Sequence, residues 1–586
     1  MRITHKLDKT VLTKNTNEDV NFLLTNKVGG YCLLSSAPSS RYQGVFFMDN
    51  SDMYKVIEDI NLVGAAPVKE IVNEFSLVAR KRGKFVESFF MPYGYDVLVY
   101  ELDKPGEIEI TLDIRKSYDN PEFGRIYKVS KFKSSIIVSY RHEKTSLYLV
   151  IKPDNLHYKI IGEWIKRVYD YDKKRNTVPF EKYVYKALRI KSQKIVFAFF
   201  KSKKQAIEEA DYVFKNIERL KEHQKIYVTK INTKRPVDPR IRLAKKSAIN
   251  SLNMLVANLK DKRGVFAGLP WFFQFWSRDE LISLKAMMLN KQDKEVKDII
   301  FKNLDLVKDG RLLNINMPEY DTTNADSIGW LFKRISDCLD KFSTKEKITI
   351  MDKLEDAIIS INKNYLKDGL VFNKAKETWM DTEWGNDSRE GFRIEIQALF
   401  LNMLKLAYEI TKEKKYLHQE NEFKSFVRKK FWNGRILADG IDDFTIRPNV
   451  FIAAYAYPEL LSKTEWVLCF KNIIPKLWLK WGGFSTIEKN HDLFCEKHTG
   501  EIPQSYHRGD SWFWLNNLAA LVLKRTDYKL FKKYVDKIVE ASTEEILMLG
   551  AIGNHAELSS ASGLKSQGCM AQAWSDAMYI ELIEEF

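Results

Sequence analysis

The sequence contains no long apolar run. Across its 586 residues, no window approaches the roughly 18 continuous apolar residues that a membrane-spanning helix needs. The first twenty residues, MRITHKLDKTVLTKNTNEDV, have neither an apolar core nor a small-residue cleavage site, and so do not resemble a secretion signal. We therefore expect a cytoplasmic protein that does not associate with membranes.

Cysteine and histidine are both scarce, with five and nine residues respectively. The sequence has no HExxH pattern and no paired CxxC pattern, which are common metal-binding signatures. The cysteines are scattered and odd in number, which favours reduced thiols in a cytoplasmic protein. The sequence thus predicts neither a metal site nor a cofactor. The cysteines are Cys32, Cys338, Cys469, Cys495 and Cys569.

Charge of one sign is not concentrated anywhere, although 94 basic residues outnumber 78 acidic ones and give a net charge of +16. The lysines alternate with acids, as in KKQAIEEADYVFKNIERLKEH, and this pattern is typical of solvated helix faces. A nucleic-acid-binding surface would need a clustered basic patch. We therefore expect no nucleic-acid partner.

The first 200 residues are dominated by a period of two. In GEIEITLDIRKSY, apolar residues occupy the even positions from Ile108 to Ile114, and polar residues occupy the odd ones. SSIIVSYRHE, TSLYLVIKP and QKIVFAFFKS are further β-rich runs, which favours an antiparallel β-sandwich. We predict a sandwich domain over residues 1–222 that ends in a charged helix starting near Lys203. Residues 223–239, which include NTKRPVD, form a predicted linker.

From about residue 240 the period becomes 3.6, and about twelve helical patterns follow. In GCMAQAWSDAMYIELI, for example, Met570, Ala573, Trp574 and Ala577 form one apolar stripe. Such a series of helices could form a solenoid or a closed double ring. No fixed sequence repeat of the solenoid kind is present. We therefore predict a closed α/α barrel over residues 240–586.

The loops between these helices carry acids, tryptophans and arginines. In a ring of helices, alternate loops open at the same end, so such side chains can converge on one cleft. Aromatic rings can cover the apolar face of a pyranose, while carboxylates and guanidinium groups bind its hydroxyls. Two carboxyls across such a cleft suffice to hydrolyse a glycosidic bond. The residues are Trp276, Arg278, Asp279, Asp321, Asn324, Asp326, Asp381, Arg447, Asn449, His507, Asp510, Trp512, Trp514 and Glu557.

Each of these residues also has an ordinary structural interpretation. An aspartate at a helix start, such as Asp279 or Asp326, is more often an N-cap than a catalyst. Trp574 is expected in the core, and His507 could equally be a hydrogen-bonded structural residue. From residue type and spacing alone, the sequence indicates a sugar-binding helical enzyme and does not identify the reaction.

Six short motifs in the helical half resemble, in order, those of glycogen debranching enzymes, specifically the amylo-α-1,6-glucosidase module. They are GLPWFFQFWSRDE, NADSIGWLF, TWMD, RPN, YHRGDSW and GCMAQAWS. FLLTNKVGGYCLLSSAPSSRYQGVFF is similar to the family's N-terminal motif, in which Thr-Asn-x-x-Gly-Gly precedes Arg-Tyr-x-Gly. The resemblance covers nearly the whole chain. It implies an N-terminal antiparallel β-sandwich followed by an (α/α)6 barrel, which also resembles the glucoamylase fold.

The resemblance also implies roles for individual residues. In that group a Trp-x-Arg-Asp motif holds the terminal glucose, which matches Trp276, Arg278 and Asp279. The general acid matches Asp381 and the general base Glu557, and the reaction inverts the anomeric configuration. Such a mechanism needs carboxyls roughly 6.5–9.5 Å apart, with water between them. Four further residues are expected to bind substrate: Trp379, His507, Trp512 and Trp514.

The loop after Asp381 contains a second acid, Glu383, which is the reserve candidate for the proton donor. The leading hypothesis is an α-1,6-glucosidase that removes branch-point glucose from a glycogen or α-glucan limit dextrin. The chain has no βα-repeat stretch to house a transferase, so another enzyme would have to shorten the branches first. A glucoamylase-like exo-α-1,4-glucosidase and a non-catalytic glycogen-binding protein are the alternatives. The sequence does not predict the oligomeric state.

Overall fold

The computed structural model describes residues 1–7, 10–231, 238–259, 262–315, 323–441 and 443–586. The chain forms two compact units. We call the first the sheet unit; it comprises Met1–Lys262, Leu269–Phe273 and Ile546–Asn554. We call the second the helical unit; it comprises Arg263–Gly268, Gln274–Glu545 and His555–Phe586. Two short segments from within the predicted barrel, residues 240–586, thus belong to the sheet unit, which differs from the predicted boundaries.

The sheet unit contains one large and mainly antiparallel sheet, with fifteen strands among its described residues. Its central path runs β11-β12-β13-β15-β10-β9-β8-β7-β1-β2, and only the pairing of β1 with β7 is parallel. β14 pairs with β15, and β3 to β6 join the sheet through β10. The strands are β1 (Arg2–Leu7), β2 (Thr10–Asn15), β3 (Phe22–Thr25), β4 (Tyr31–Leu34), β5 (Gly44–Asp49), β6 (Asp52–Leu62), β7 (Val68–Asn73), β8 (Val78–Arg82), β9 (Phe85–Phe90), β10 (Val97–Lys116), β11 (Ile126–Phe132), β12 (Ser135–His142), β13 (Thr145–Pro153), β14 (His157–Val168) and β15 (Glu181–Phe200).

The predicted strands form at the expected places, but most of the polar face of β10 is not exposed to solvent. Glu109, Thr111 and Asp113 are all buried, whereas Glu107 on the same face is exposed. Asp113 is stabilised there by two guanidinium groups, with 2.8 Å contacts from Arg115 Nε and Arg125 Nη1. Burial of this carboxylate is tolerable because both of its oxygens are paired.

Three helices complete the first part of the chain: α1 (Asp170–Lys174), α2 (Lys203–Thr229) and α3 (Pro239–Leu255). Helix α2 begins at Lys203, as predicted, with Ser202 as its N-cap. Its apolar stripe packs on the sheet through Ala206, Ala210 and Val213. The predicted linker, 223–239, begins inside α2, and residues 232–237 lie outside the described part of the chain.

The remaining helices alternate with very short strands, which the sequence pattern does not reveal. α12 is broken at Asp527, whose backbone is extended. The helices are α4 (Ser277–Leu289), α5 (Asp293–Asp305), α6 (Ser327–Asp337), α7 (Thr344–Asn364), α8 (Ile394–Thr411), α9 (Lys414–Phe431), α10 (Asn449–Ala456), α11 (Lys463–Leu477), α12 (Phe513–Met548) and α13 (Ala573–Glu584). The short strands are β16 (Val256–Leu259), β17 (Lys262–Val265), β18 (Gly268–Leu269), β19 (Val307–Lys308), β20 (Arg311–Leu313), β21 (Thr323–Asn324), β22 (Leu366–Lys367), β23 (Leu370–Val371), β24 (Trp478–Leu479), β25 (Gly483–Phe484), β26 (Ser511–Trp512), β27 (Leu558–Ser559) and β28 (Ala571–Gln572).

The helical unit has an inner and an outer layer. Helices α10 and α13 are buried around their whole circumference, and α4 and α8 nearly so, whereas α5, α7 and α9 bury one face only. The inner helices contact one another in the order α13, α4, α6, α8 and α10, while α5 packs on α4 and α7 and α9 pack on α8. This arrangement agrees with the predicted α/α architecture, and closure of the ring stays a prediction.

No helix among the described residues is both long enough and apolar enough to cross a membrane. The loops that lead into α4, α6, α8, α10, α12 and α13 contain most of the residues that the sequence singles out. The N-terminal ends of the inner helices therefore position the candidate site.

Candidate active site

The Trp-x-Arg-Asp motif lies at the start of α4. Trp276 occupies the N-cap position and is partly exposed, whereas Arg278 and Asp279 are 2% and 6% exposed in the first turn. Asp279 does not cap the helix; its Oδ1 accepts a 2.8 Å hydrogen bond from Nε2 of Gln572, which directly precedes α13. The start of α4 thus presents a guanidinium and a carboxyl that are both fixed by tertiary contacts.

Arg278 lies between two carboxylates. Its Nε donates to both oxygens of Asp326, at 3.0 and 2.9 Å, and its Nη1 donates to Oδ2 of Asp381 at 3.2 Å. Its Nη2 is buried and has no hydrogen-bond partner among the described residues. This nitrogen is consequently available to donate a hydrogen bond to a ligand, as buried polar groups rarely stay unpaired.

Asp326 does not act as a helix cap, which corrects the ordinary interpretation of its position. It precedes α6, yet its side chain makes no capping bond, and the Ser327 N–H donates instead to Oδ1 of Asn324 at 3.1 Å. Burial raises the pKa of Asp326, and the contact with Arg278 opposes that effect. Asp321, in the same loop, lies outside the described residues.

Asp381 is the most open carboxyl of the group, with 35% of its side chain exposed. The surrounding protein nevertheless removes enough water to raise its pKa, although Arg278 acts in the opposite direction. The net increase in pKa suits a proton donor, which must stay protonated near neutral pH. Glu383, the reserve acid, lies exposed in the same loop.

The loop that carries Asp381 is fixed on both sides. Trp379, just before it, is buried and donates from Nε1 to Oδ1 of Asn449 at 2.7 Å. Thr382, just after it, pairs its hydroxyl with Nδ1 of His507 at 2.9 Å, and its carbonyl accepts from Nη2 of Arg508 at 2.7 Å. These contacts restrict where the Asp381 carboxyl can move.

Glu557 is almost fully buried and held from two sides. Its Oε2 accepts a 2.8 Å hydrogen bond from the Cys569 backbone N–H, and its Oε1 accepts one from the Tyr506 hydroxyl. Gly568 has a positive φ of 67°, and an added Cβ would lie 2.2 Å from Oε2. Only glycine therefore allows the chain to pass so close to this carboxylate.

The charges of Asp381 and Glu557 both affect the pKa values of two neighbouring residues, Asp279 and Tyr506. Burial, opposed by Arg278, raises the pKa of Asp279 to about 7, and both carboxylates contribute to the increase. Burial also raises the pKa of Tyr506 well above its usual range, again with contributions from Glu557 and then Asp381. The fold thus brings these two carboxyls, from distant parts of the chain, into one electrostatic neighbourhood.

The remaining predicted site residues form a buried aromatic cluster. His507 stacks on Trp512 with ring centroids 5.2 Å apart and 15° between planes, and Trp379 meets Trp512 and Trp514 edge to face at 5.5 and 5.1 Å. Trp574 stacks on Trp514 at 4.9 Å. All five side chains are at most 4% exposed. These five side chains are therefore part of the buried core beside the site. The Trp276 ring is more accessible to solvent than any of them.

The environment of His507 favours the neutral form of its imidazole. Its pKa is held well below the usual range, first by burial and then by the charges of Arg508, Arg447, Arg389 and Arg278.

Within the described part of the chain, no group of three or more histidine, cysteine, aspartate or glutamate side chains is placed to share a metal ion.

The sequence motifs do not single out Tyr506, Gly568 or the role of Asp326. Tyr506 opens the YHRGDSW motif and Gly568 opens the GCMAQAWS motif, so membership of a motif is the one available signal for these two residues. No local pattern could reveal Asp326 as a partner of Arg278, since the two are 48 residues apart.

Comparison with known proteins agrees with this architecture. The chain is similar to a crystal structure of bacterial glucoamylase complexed with acarbose, with a TM-score of 0.63 and 12% sequence identity. The similarity covers 98% of this chain and 95% of the glucoamylase chain. At this identity the likeness concerns the fold. No curated protein matches the chain significantly.

A family model described as amylo-alpha-1,6-glucosidase matches residues 249–581, which include every residue of the site described above. The match spans more than half of the 586 residues and confirms the resemblance that the motifs indicate. The chain therefore belongs to the amylo-alpha-1,6-glucosidase family of glycoside hydrolases.

Proposed function

We propose that the protein is an inverting α-1,6-glucosidase that removes branch-point glucose from a glycogen-type limit dextrin. The observation that supports this most is the pair of carboxyls, Asp381 beside Arg278 and Glu557 beside Tyr506, in one neighbourhood. Membership of the family supports the reaction class. The substrate would be a soluble α-glucan, and the five free cysteines suit the cytoplasm.

In this mechanism Asp381 is the general acid. Its raised pKa favours the protonated form, which donates to the leaving glycosidic oxygen. Arg278 sets the position of the carboxyl and keeps the pKa from rising further, so that proton transfer stays favourable. After transfer, the same guanidinium stabilises the new carboxylate at 3.2 Å.

Glu557 is the general base. Hydrogen bonds from the Tyr506 hydroxyl and the Cys569 N–H suit an ionised carboxylate, which only accepts. In this role it removes a proton from water as the water attacks the anomeric carbon from the face opposite the leaving group. Such an arrangement requires a gap of roughly 6.5–9.5 Å between the two carboxyls.

The start of α4 would hold the terminal glucose. Arg278 has its unpaired Nη2 for a sugar hydroxyl, and Asp279 has its second oxygen for another. Trp276 is the ring that a pyranose face could cover. Arg278 and Asp279 are almost fully buried, which favours binding of a terminal glucose and release of single glucose units.

Substitution of the acids tests the roles directly. We expect Asp381→Asn and Glu557→Gln each to reduce kcat by about 10²–10⁴-fold on panose or a limit dextrin. Glu383→Gln is the matched control, since this exposed acid lies two residues from Asp381, and it should retain activity within about threefold. Loss with Glu383→Gln and retention with Asp381→Asn would instead assign the proton donor to Glu383.

Linkage preference needs a separate comparison. Free glucose is measured from isomaltose and panose, which contain α-1,6 bonds, and from maltooligosaccharides, which contain only α-1,4 bonds. Preferential hydrolysis of the α-1,6 substrates supports the proposal. Preference for the linear chains would identify an exo-α-1,4-glucosidase, and binding of glycogen without hydrolysis would identify a binding protein.

A further inference from the structure

Two buried basic side chains of the sheet unit donate to one and the same acceptor. Arg41, from the N-terminal motif, and Lys182, in β15, are 6% and 7% exposed. Arg41 Nη1 and Lys182 Nζ each donate to Oδ1 of Asn120 at 2.9 Å. The carboxamide oxygen is uncharged, so the two basic groups converge on a neutral atom. We call Arg41 and Lys182 the cation pair.

The other hydrogen bonds of the cation pair also go to uncharged groups. Arg41 Nη2 donates to the Tyr42 hydroxyl at 3.0 Å, and Lys182 Nζ donates to the Asp119 carbonyl at 3.3 Å. Arg41 Nε is buried and has no hydrogen-bond partner among the described residues. The Asp172 carboxylate accepts from the Arg41 backbone N–H at 2.7 Å, not from the guanidinium. Within the described part of the chain, the two side chains are therefore bonded to no carboxylate.

The charges that act on Lys182 are predominantly positive. Its pKa is lowered to about 6, mainly by burial and then by the charge of Arg115. Lys55 and Arg41 act in the same direction, and Asp113 opposes them. An environment that disfavours an ammonium group in this way lacks negative charge.

The neighbouring carboxylates are already engaged by other cations. Asp113 contacts Arg115 and Arg125, both at 2.8 Å, and Glu58 contacts Lys55. When the lysine of the cation pair is protonated, two buried positive charges are left without a counter-charge of their own. Buried charges of this kind are costly unless they are paired. The position that both side chains face therefore favours an anion.

The acceptor shared by the cation pair lies on an exposed loop. Tyr118, Asp119 and Asn120 are all exposed, and Phe123 is 84% exposed. On its other side, the Asn120 carboxamide makes only a long hydrogen bond, 3.4 Å from Nδ2 to the Tyr118 carbonyl. A small anion from solvent can thus replace the carboxamide oxygen by a movement of this loop, with the strands left in place.

We propose that the cation pair binds a phosphate group, which takes the place of the Asn120 carboxamide oxygen. A dianion matches the two positive charges, whereas a carboxylate or a halide would leave one of them uncompensated. The phosphate oxygens accept from the Arg41 guanidinium, including its unpaired Nε, and from Lys182 Nζ. The ligand is inorganic phosphate or a phosphate monoester whose ester group points out past the exposed loop. This site does not depend on the glycosidase function.

Isothermal titration of the full chain with inorganic phosphate, at constant ionic strength, tests the proposal. We expect saturable binding that is weaker by about tenfold or more in Lys182→Met. Asn120→Asp places a carboxylate between the two basic groups, so it should weaken phosphate binding to a similar extent. Without phosphate, the same substitution should raise Tm by about 2–4 °C. Asn155→Asp, at another exposed loop asparagine of the sheet unit, is the matched control and should change neither quantity.

Absence of phosphate binding by the wild type at millimolar concentrations would overturn the proposal, and so would equal affinities in the wild type and Asn120→Asp. The second variant alters an exposed side chain, so the test holds even if Lys182→Met does not fold. A lower Tm in Asn120→Asp would also refute a site for negative charge at this position. Titration with phenyl phosphate then distinguishes the two sources. Binding at least as tight as that of inorganic phosphate indicates a monoester, and weaker binding indicates the free anion.

Discussion

The contact between Asp326 and Arg278 predicts how the pKa of Asp381 responds to a substitution at Asp326. Asp326→Asn keeps the shape of the side chain and one acceptor for Nε but removes the negative charge. Arg278 would then face Asp381 without its second counter-charge. The positive charge acts more strongly on Asp381 and lowers its pKa. An acid that must be protonated then loses its proton at lower pH, so the basic limb of the kcat profile moves down in pH.

The size of the effect follows from the geometry. Both carboxylates contact one planar guanidinium, at 2.9 Å on Nε and 3.2 Å on Nη1, so they lie roughly 8 Å apart at most. Two unit charges at that distance interact by about 2 kcal/mol at an effective dielectric of about 20. Asp381 is 35% exposed, and screening reduces this to about 1 kcal/mol. The basic limb should therefore shift by about 0.7 pH unit.

The assay is kcat against pH from about 4 to 9 on panose, with thermal unfolding to verify that the variant is folded. Asp298→Asn is the control, because it removes a carboxylate from a surface ion pair with Arg263 and should leave the profile in place. A basic limb that stays unchanged, or moves to higher pH, would refute the assignment of Asp326 and Arg278 as the groups that set the acidity of Asp381.

Three further predictions concern the base and the sheet unit. Tyr506→Phe removes a hydroxyl from Glu557, and a hydrogen bond to a charged group contributes about 1.5–3 kcal/mol, so initial rates should show kcat reduced about 10–100-fold with little change in KM. Gly568→Ala places a methyl group 2.2 Å from Oε2 of Glu557 and should reduce kcat at least as far. Gly563→Ala, which meets no described atom within 4 Å, should not. His5 is buried with a pKa lowered, mainly by burial, from 6.5 to about 4. Its neutral form is therefore favoured in the folded state, and urea unfolding should show up to about 3 kcal/mol of stability lost as pH falls from about 6.5 to 4.

Each of these predictions has a contrary outcome. Wild-type kcat in Tyr506→Phe would mean that the hydroxyl does not set the position of Glu557. Equal rates in the two glycine variants would contradict the close approach at residue 568. For the sheet unit, His5→Gln should lose less stability than the wild type over the same pH range, and identical profiles would show that His5 is not the titrating group.

Local periodicity predicts the elements because it records which side of each segment is buried. Helix α2 begins where Ser202 can cap it, and strands β12 and β13 match their apolar runs. The same rule is wrong for the polar face of β10. Its residues from Glu109 to Asp113 are buried, and the Asp113 carboxylate is paired there with Arg115 and Arg125. Partners of this kind are set by topology, which a local pattern does not contain.

In the site, too, local sequence patterns predict some residues, and tertiary packing determines the contacts of others. Arg278 and Asp381 could be named from the motifs that surround them, because the family resemblance is local. The position of Asp326 at a helix start favours a cap over a site role, whereas its contact with Arg278 depends on how α4 and α6 pack. Tyr506 reaches Glu557 across 51 residues. Contacts that set the pKa or the position of a candidate catalytic carboxyl thus come from tertiary structure.

In the proposed mechanism, Asp381 and Glu557 act across a water molecule and invert the anomeric configuration. The most direct measurement is proton NMR of glucose released from a branched limit dextrin during the first minutes, before mutarotation mixes the anomers. Inversion predicts β-glucose as the initial product from the α-linked substrate. Initial α-glucose would contradict it, because retention requires a carboxylate that attacks the sugar directly.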